Sequence, residues 1–146
     1  MSKDFVITTI SEEDLEQLQH LYIELIPEGC SLTTIEELYE KVKGKEEYHI
    51  LVAKRGGEVL GSVMGIECIA LDAPFMVIEN VIVKSSCHRQ GIGRKLFETL
   101  DEIAKEKKCE YTILVSSGFR KGAHKFYENM GFAEDVRGFR KYFEKK

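Results

Sequence analysis

The chain has 146 residues, a formal net charge of −4, and 43% hydrophobic against 32% charged residues. That length suits one domain burying about 68–70% of its unfolded surface, and the composition is globular rather than disordered. The acidic balance argues against a general nucleic-acid binder, and no apolar run approaches the roughly 18–20 residues of a membrane-spanning helix. The start, Met1-Ser2-Lys3-Asp4, lacks the apolar stretch of a secretory signal, so the expected compartment is the cytoplasm. There Cys30, Cys68, Cys87 and Cys109 are expected as free thiols, and with no C-x-x-C pair among them no metal site is expected.

Phe5 to Thr9 alternates and is β-branched, which predicts a strand. Ser11 with Asp14 reads as a capping pair for a helix whose buried face is Leu15, Leu18, Leu21, Tyr22 and Leu25, stopped by Pro27 and Gly29. Thr34 with Glu37 predicts the start of a second helix carrying Ile35, Leu38, Tyr39 and Val42 and ending near Gly44. Tyr48 to Lys54 is a predicted strand, Gly56-Gly57 a hairpin turn, and Glu58 to Ile69 the returning strand, with Gly61 and Gly65 as bulges or points of close approach. Phe75 to Val83 is a further strand. Gly91 to Lys107 is a helix with Ile92, Leu96, Leu100, Ile103 and Ala104 on one side. Tyr111 to Val115 is a strand, Gly122 to Met130 a helix ended by Gly131, and Phe132–Ala133 and Phe139 to Phe143 are closing strands. This order predicts one α/β domain over residues 1–146, with antiparallel hairpins first and a β-α-β crossover later.

Two stretches are basic. Lys84 to Phe97 holds Lys84, Arg89, Arg94 and Lys95 with no acid, and Ser116 to Lys125 holds Arg120, Lys121 and Lys125 with none. In the first, a strand leads into a loop that opens a helix through Gly91-Ile92-Gly93. Backbone N–H groups at a helix start lack intrahelical partners and favour an anion, and glycines let a phosphate approach the main chain. The stretch lacks the Walker pattern, and Leu96 stands where a dinucleotide fingerprint needs its third glycine.

The run His88-Arg89-Gln90-Gly91-Ile92-Gly93 after a long strand resembles the coenzyme A-binding motif of the GNAT superfamily of N-acetyltransferases, [Q/R]-x-x-G-x-[G/A], with His88 in place of Gln or Arg. Downstream, Ala123-His124-Lys125-Phe126-Tyr127-Glu128-Asn129-Met130-Gly131-Phe132 resembles the family's A-x-x-F-Y-x-x-x-G-F block, with Arg120 where an Asn is frequent. The resemblance implies a GNAT acyl-CoA acyltransferase fold, a mixed and mostly antiparallel sheet with helices on both faces. It also implies acetyl transfer from acetyl-CoA to the primary amine of a small molecule or peptide, by direct transfer in a ternary complex without metal, nucleic acid or membrane. Val81, Ile82 and Val83 would lie beside the pantetheine arm, and Arg89, Gln90, Gly91, Ile92, Gly93 and Arg94 would cradle the pyrophosphate. A homodimer through Phe139 to Phe143 is compatible with the family.

For the chemistry, Tyr127 is the candidate proton donor to the leaving thiolate; the other reading is a ring that packs its helix on the sheet. Glu79, inside an apolar strand, is the candidate base or ammonium contact; the other reading is a solvated or paired carboxylate. Strict alternation puts Glu79, Val81 and Val83 on one face, unless a bulge intervenes. An N–H near Val81 could polarise the thioester carbonyl. His20, His49 and His124 stand alone in sequence, and Cys87, although beside the anion loop, reads as packing. The strand Ile78-Glu79-Asn80-Val81-Ile82-Val83 is similar to the I-E-D-V-V-V strand of glucosamine-6-phosphate N-acetyltransferases, which implies an amino sugar as one acceptor class. Two alternatives remain: a non-catalytic CoA-binding sensor or interaction module on the same fold, and a nucleotide- or phosphate-binding domain that shares only the anion loop, against which the Phe126-Tyr127 helix and the strand before the loop argue.

Overall fold

A computed structural model describes residues 4–25, 29–115 and 121–144. The elements are β1 (Val6–Thr9), α1 (Leu15–Leu25), α2 (Leu32–Val42), β2 (Tyr48–Arg55), β3 (Glu58–Ile69), β4 (Pro74–Val83), α3 (Ile92–Glu106), β5 (Thr112–Ile113) and α4 (Lys121–Asn129). Short 3₁₀ turns at Glu12–Asp14 and Ser85–Cys87 precede α1 and α3. The strands form one sheet in the order β1-β2-β3-β4-β5, antiparallel except for the parallel β4–β5 pair. Gly56 and Gly57 both take positive φ, 58° and 93°, as a two-residue hairpin between β2 and β3 requires.

Each face of the sheet carries its own core. On one face α3 buries Ile92, Leu96, Phe97, Leu100 and Ala104 against Leu51, Ala53, Leu60, Val63, Met76 and Ile78. Each fully buried Leu or Phe contributes about 1.5–3 kcal/mol. Gly65 lets α3 sit close, because a Cβ there would lie 2.8 Å from Met76 Sδ and 2.9 Å from Leu100 Cδ2. On the other face Leu15, Leu18 and Leu21 of α1 pack on Val52, Val59 and Ile82, with Leu32, Ile35 and Tyr39 of α2 at the margin. Burial pushes the Tyr22 hydroxyl up to about 12, with the nearby Cys30 adding to the shift.

The start of α1 follows the sequence. Asp14 is buried and accepts from the Ser11 N–H at 3.0 Å and the Ser11 hydroxyl at 3.1 Å, and Lys54 Nζ lies 2.6 Å from its other oxygen. Burial raises the Asp14 pKa, but the Lys54 and Ser11 donors outweigh it, and the net shift is downward.

Three expectations are corrected. The cap of α2 is Ser31, whose hydroxyl accepts from the Thr34 N–H at 3.1 Å, so the helix opens before Thr34, and Leu38 is 53% exposed rather than on the buried face. The fifth strand covers two residues, not Tyr111 to Val115. Residues 132–144 contain no strand, so neither Phe132–Ala133 nor Phe139 to Phe143 closes the sheet, and Phe139 and Phe143 are 92% and 89% exposed. No helix among the described residues is long and apolar enough to cross a membrane.

Candidate active site

The site begins where β4 loses its partner. β4 pairs with β5 only at Met76↔Thr112 and Val77↔Ile113, and among the described residues no strand pairs with that edge from Ile78 to Val83. Lys84 N–H bonds to Leu60 on β3, so by alternation the N–H and C=O of Val81 and Val83 point to the open edge while those of Ile82 point to β3. The His88 imidazole Nε2–H donates to the Val83 carbonyl at 3.2 Å. His88 therefore does what a donor such as Gln or Arg could do at this position: it ties the loop back to the end of the strand.

A bulge interrupts β4. Ser62 pairs with Ile82 and Met64 with Glu79, so Val63 alone opposes both Asn80 and Val81. Asn80 takes φ 54°, a left-handed conformation that Asn adopts more readily than most other L-residues. The extra residue reverses the alternation. Met76, Ile78, Val81 and Val83 all lie on the α3 face, whereas Val77, Glu79 and Ile82 lie on the α1–α2 face. Glu79 therefore does not share a face with Val81 and Val83, which corrects the expectation from strict alternation. Its carboxylate is exposed, not buried.

Past β4, the chain turns at Ser85–Cys87 and enters α3 through Gly91, the N-cap, at φ 83°. This conformation favours glycine, and nothing lies within 4 Å of where a Cβ would stand. Among the described residues no side chain caps the helix, which leaves its first N–H groups for an external partner. Arg89, held at φ 67°, and Arg94 and Lys95 are exposed and form no ion pair among the described residues. Lys84 is committed to Glu58, which raises its pKa. Gln90 Oε1 accepts from Arg55 Nη2 at 3.0 Å, so its side-chain carbonyl helps to hold the loop in place. Ile92 is buried in the core below the loop.

Gly93 has a different role from Gly91. A Cβ on it would lie 3.2 Å from Phe126 Cζ and 3.7 Å from Val83 Cγ2, so this glycine makes room for α4 rather than for a phosphate. On α4, the Phe126 and Tyr127 rings meet Phe97 at 5.5 and 5.9 Å. The end of α4 explains the spacing Tyr127-x-x-x-Gly131-Phe132. Phe132 N–H bonds to the Tyr127 carbonyl and Gly131 N–H to that of Glu128, with Gly131 at φ 99°. This is a Schellman cap, completed by the Phe132 ring 6.2 Å from the Tyr127 ring. Tyr127 is half-buried and packs against the α3-side core, as Val81 and Val83 do, on the opposite face of the sheet from Glu79.

The sequence profile of the acetyltransferase (GNAT) family matches residues 15–132. The chain belongs to the GNAT acetyltransferase family. The GNAT fold expected from the sequence is the one observed, a five-stranded mixed sheet with two helices on each face. Among solved structures, a transcriptional regulator from Bacillus halodurans C-125 is 25% identical, with 96% of this chain and 100% of that one covered at a TM-score of 0.91. An acetyltransferase from Trypanosoma brucei is 24% identical over 96% and 100% of the two chains, TM-score 0.82. Glucosamine-6-phosphate N-acetyltransferase from Arabidopsis thaliana is 20% identical over 97% and 100%, TM-score 0.77. No curated protein sequence matches the chain.

The second basic stretch, with Arg120, falls largely outside the described residues. Cys87 is buried in the core, while Cys30, Cys68 and Cys109 are half-buried, and all four are free thiols. Burial pushes the Cys109 thiol up. His49 pairs with Glu67 at 2.7 Å on the α3 face, away from the open edge. The feature that sequence reasoning did not place is the pair of links holding the loop, Arg55 to Gln90 and the Ser85 hydroxyl to Glu24 of α1 at 3.1 Å.

Proposed function

We propose that residues 1–146 form one acetyl-CoA-dependent N-acetyltransferase domain that acetylates the primary amine of a small molecule by direct transfer in a ternary complex. The observation that carries this reading is the open β4 edge running directly into an uncapped helix start, with Gly91 at positive φ and three exposed cations beside it. That cradle suits a ligand that is an extended amide chain at one end and a pyrophosphate at the other. Val81 and Val83 would bond the amides as an added strand does, and the N–H groups from Gly91 to Arg94, with Arg89 and Arg94, would hold the phosphates. When bound, acetyl-CoA supplies an activated thioester.

The chain's own groups do the rest. The Val81 N–H would polarise the thioester carbonyl at the strand edge. Tyr127 holds a phenolic proton for the leaving thiolate, from the α3 face. Glu79, from the opposite face, binds the substrate ammonium and takes its proton, directly or through water. In this reading the donor and the base act from opposite faces of the sheet, and transfer takes place where β4 and β5 part.

The test combines calorimetry with detection of free CoA thiol. Wild type should bind acetyl-CoA and give intersecting initial-velocity lines with an amine, not the parallel lines of a covalent intermediate. Tyr127→Phe should lower kcat about 100-fold with acetyl-CoA affinity unchanged, and Glu79→Gln should lower kcat/KM for the amine by a similar factor. Equal turnover in the Tyr127 variant would remove it from the chemistry. One observation favours the alternative of a non-catalytic CoA-binding module: a structural neighbour named as a transcriptional regulator. That reading predicts CoA binding with no thiol released from acetyl-CoA by any amine.

A further inference from the structure

Among the described residues, helices cover only part of the α1–α2 face of the sheet. Helices α1 and α2 pack over Val52, Val59 and Ile82. Further along, toward β5, the same face continues in rows set by the register: Ile50, Met64 and Glu79, then Tyr48, Ile66, Val77 and Ile113, then Cys68 with the stacked rings of Phe75 and Tyr111 at 5.3 Å. The sides are fixed by the opposite face, where Val63, Gly65, Met76 and Ile78 meet α3 or its core and Leu114 packs on that core. Met64, Ile66, Val77 and Ile113 are half-buried and belong to neither core.

Rows on one face of a strand are about 7 Å apart. Glu79 is therefore a lone carboxylate at the head of an apolar track about 14 Å long that ends on two aromatic rings. No Lys, Arg or His lies in these rows. The track is continuous with the proposed transfer site, because Glu79 adjoins the bulge and the β4 edge opens at Ile78. Its one charge is complementary to an ammonium.

We infer that the acceptor is a primary amine with an apolar alkyl or aryl body, its ammonium at Glu79 and its body along Val77 toward Phe75 and Tyr111. This rests on the acetyltransferase reading above and departs from the amino-sugar class that the β4 strand resemblance implies. The hydroxyls of a sugar laid on these side chains would find few partners, each loss costing roughly tenfold or more, and a sugar phosphate would meet no cation in these rows.

The experiment measures kcat/KM, by CoA thiol release at saturating acetyl-CoA, for butylamine, pentylamine, hexylamine, 2-phenylethylamine, glucosamine and glucosamine 6-phosphate. The expected result is a rise of about fourfold per added methylene, with phenylethylamine at least tenfold above both sugars. Val77→Thr, which keeps the side-chain shape, should raise KM for hexylamine severalfold and leave that for acetyl-CoA unchanged. Turnover that favours the sugars, with a flat alkylamine series, overturns this inference and leaves the acetyltransferase reading standing. Thiol release with no amine at all overturns both. If Val77→Thr shifts the KM values for hexylamine and glucosamine alike, the track is not the contact surface and the inference fails.

Discussion

Gly93→Ala separates packing from ligand binding at the loop. Gly93 has an ordinary helical backbone, so alanine should gain up to about 1 kcal/mol of helix propensity there. Against this, the new Cβ would lie 3.2 Å from Phe126 Cζ and 3.6 Å from Cε1, where unstrained contacts begin near 3.4 Å, so the ring must give by a few tenths of an ångström. It has little freedom to do so, being held edge-on by Phe97 at 5.5 Å and 71° and by Tyr127 at 5.7 Å. Overpacking of this kind costs about 1–3 kcal/mol, so the net effect is a destabilisation of about 1 kcal/mol, or roughly 2–4 °C in Tm for a chain of this size. Phe126→Leu removes the Cζ atom in the way. In that background Gly93→Ala should turn neutral or stabilising, giving a coupling energy of about 1–2 kcal/mol in a urea-denaturation cycle. Gly91→Ala is the control: with no neighbour within 4 Å and φ at 83°, it should cost about 1–2 kcal/mol in both backgrounds. If the Gly93 and Phe126 changes add within about 0.5 kcal/mol, the assignment of Gly93 to helix packing is wrong.

Two further predictions concern stability. Lys108 ends α3 at φ 62° in a Schellman cap, with Cys109 N–H bonded to the Ala104 carbonyl, so Lys108→Gly should stabilise the protein by about 1 kcal/mol, read as a Tm rise of 2–4 °C with unchanged turnover. Asp14 titrates lower in the folded chain than the ordinary value near 4, so its contribution to stability is complete above that value and is lost as pH falls through the lowered one. Asp14→Asn should therefore be less stable than wild type at pH 7, with the gap in urea midpoint narrowing below about pH 4; a gap independent of pH would contradict the ion pair with Lys54.

Most of the fold was legible because its signals are local. β3 spans Glu58 to Ile69 as expected, and the Gly56-Gly57 turn and the apolar spacing of α3 set their own elements. The failures occurred where a local pattern was ambiguous or needed a distant partner. Both Ser31-x-x-Thr34 and Thr34-x-x-Glu37 satisfy a capping pattern, and the choice of Ser31 lets Leu32 as well as Ile35 reach the core margin. Phe139 to Phe143 has the aromatic content of a strand, but composition supplies no ladder. β5 contributes only Thr112 and Ile113, too short an edge to hold another strand.

At the site, the residue types were legible and their placement was not. The sequence marks Glu79 as a carboxylate among apolar neighbours, but its face depends on whether β4 keeps strict alternation through Asn80. A bulge is a property of two strands, arising because Val63 opposes two residues, and a one-strand reading cannot count it. Its consequence is functional. With regular alternation Glu79 and Val81 would crowd one face, and a single side of the sheet would have to accept both an extended thioester and an amine. One extra residue at φ 54° turns Glu79 toward α1 and α2 while Val81 and Val83 stay with α3 and Tyr127. In the proposed reaction this gives the two substrates separate faces of one sheet, meeting where β4 and β5 part. Asn at position 80 suits that arrangement because it reaches the left-handed conformation at lower cost than the β-branched residues around it.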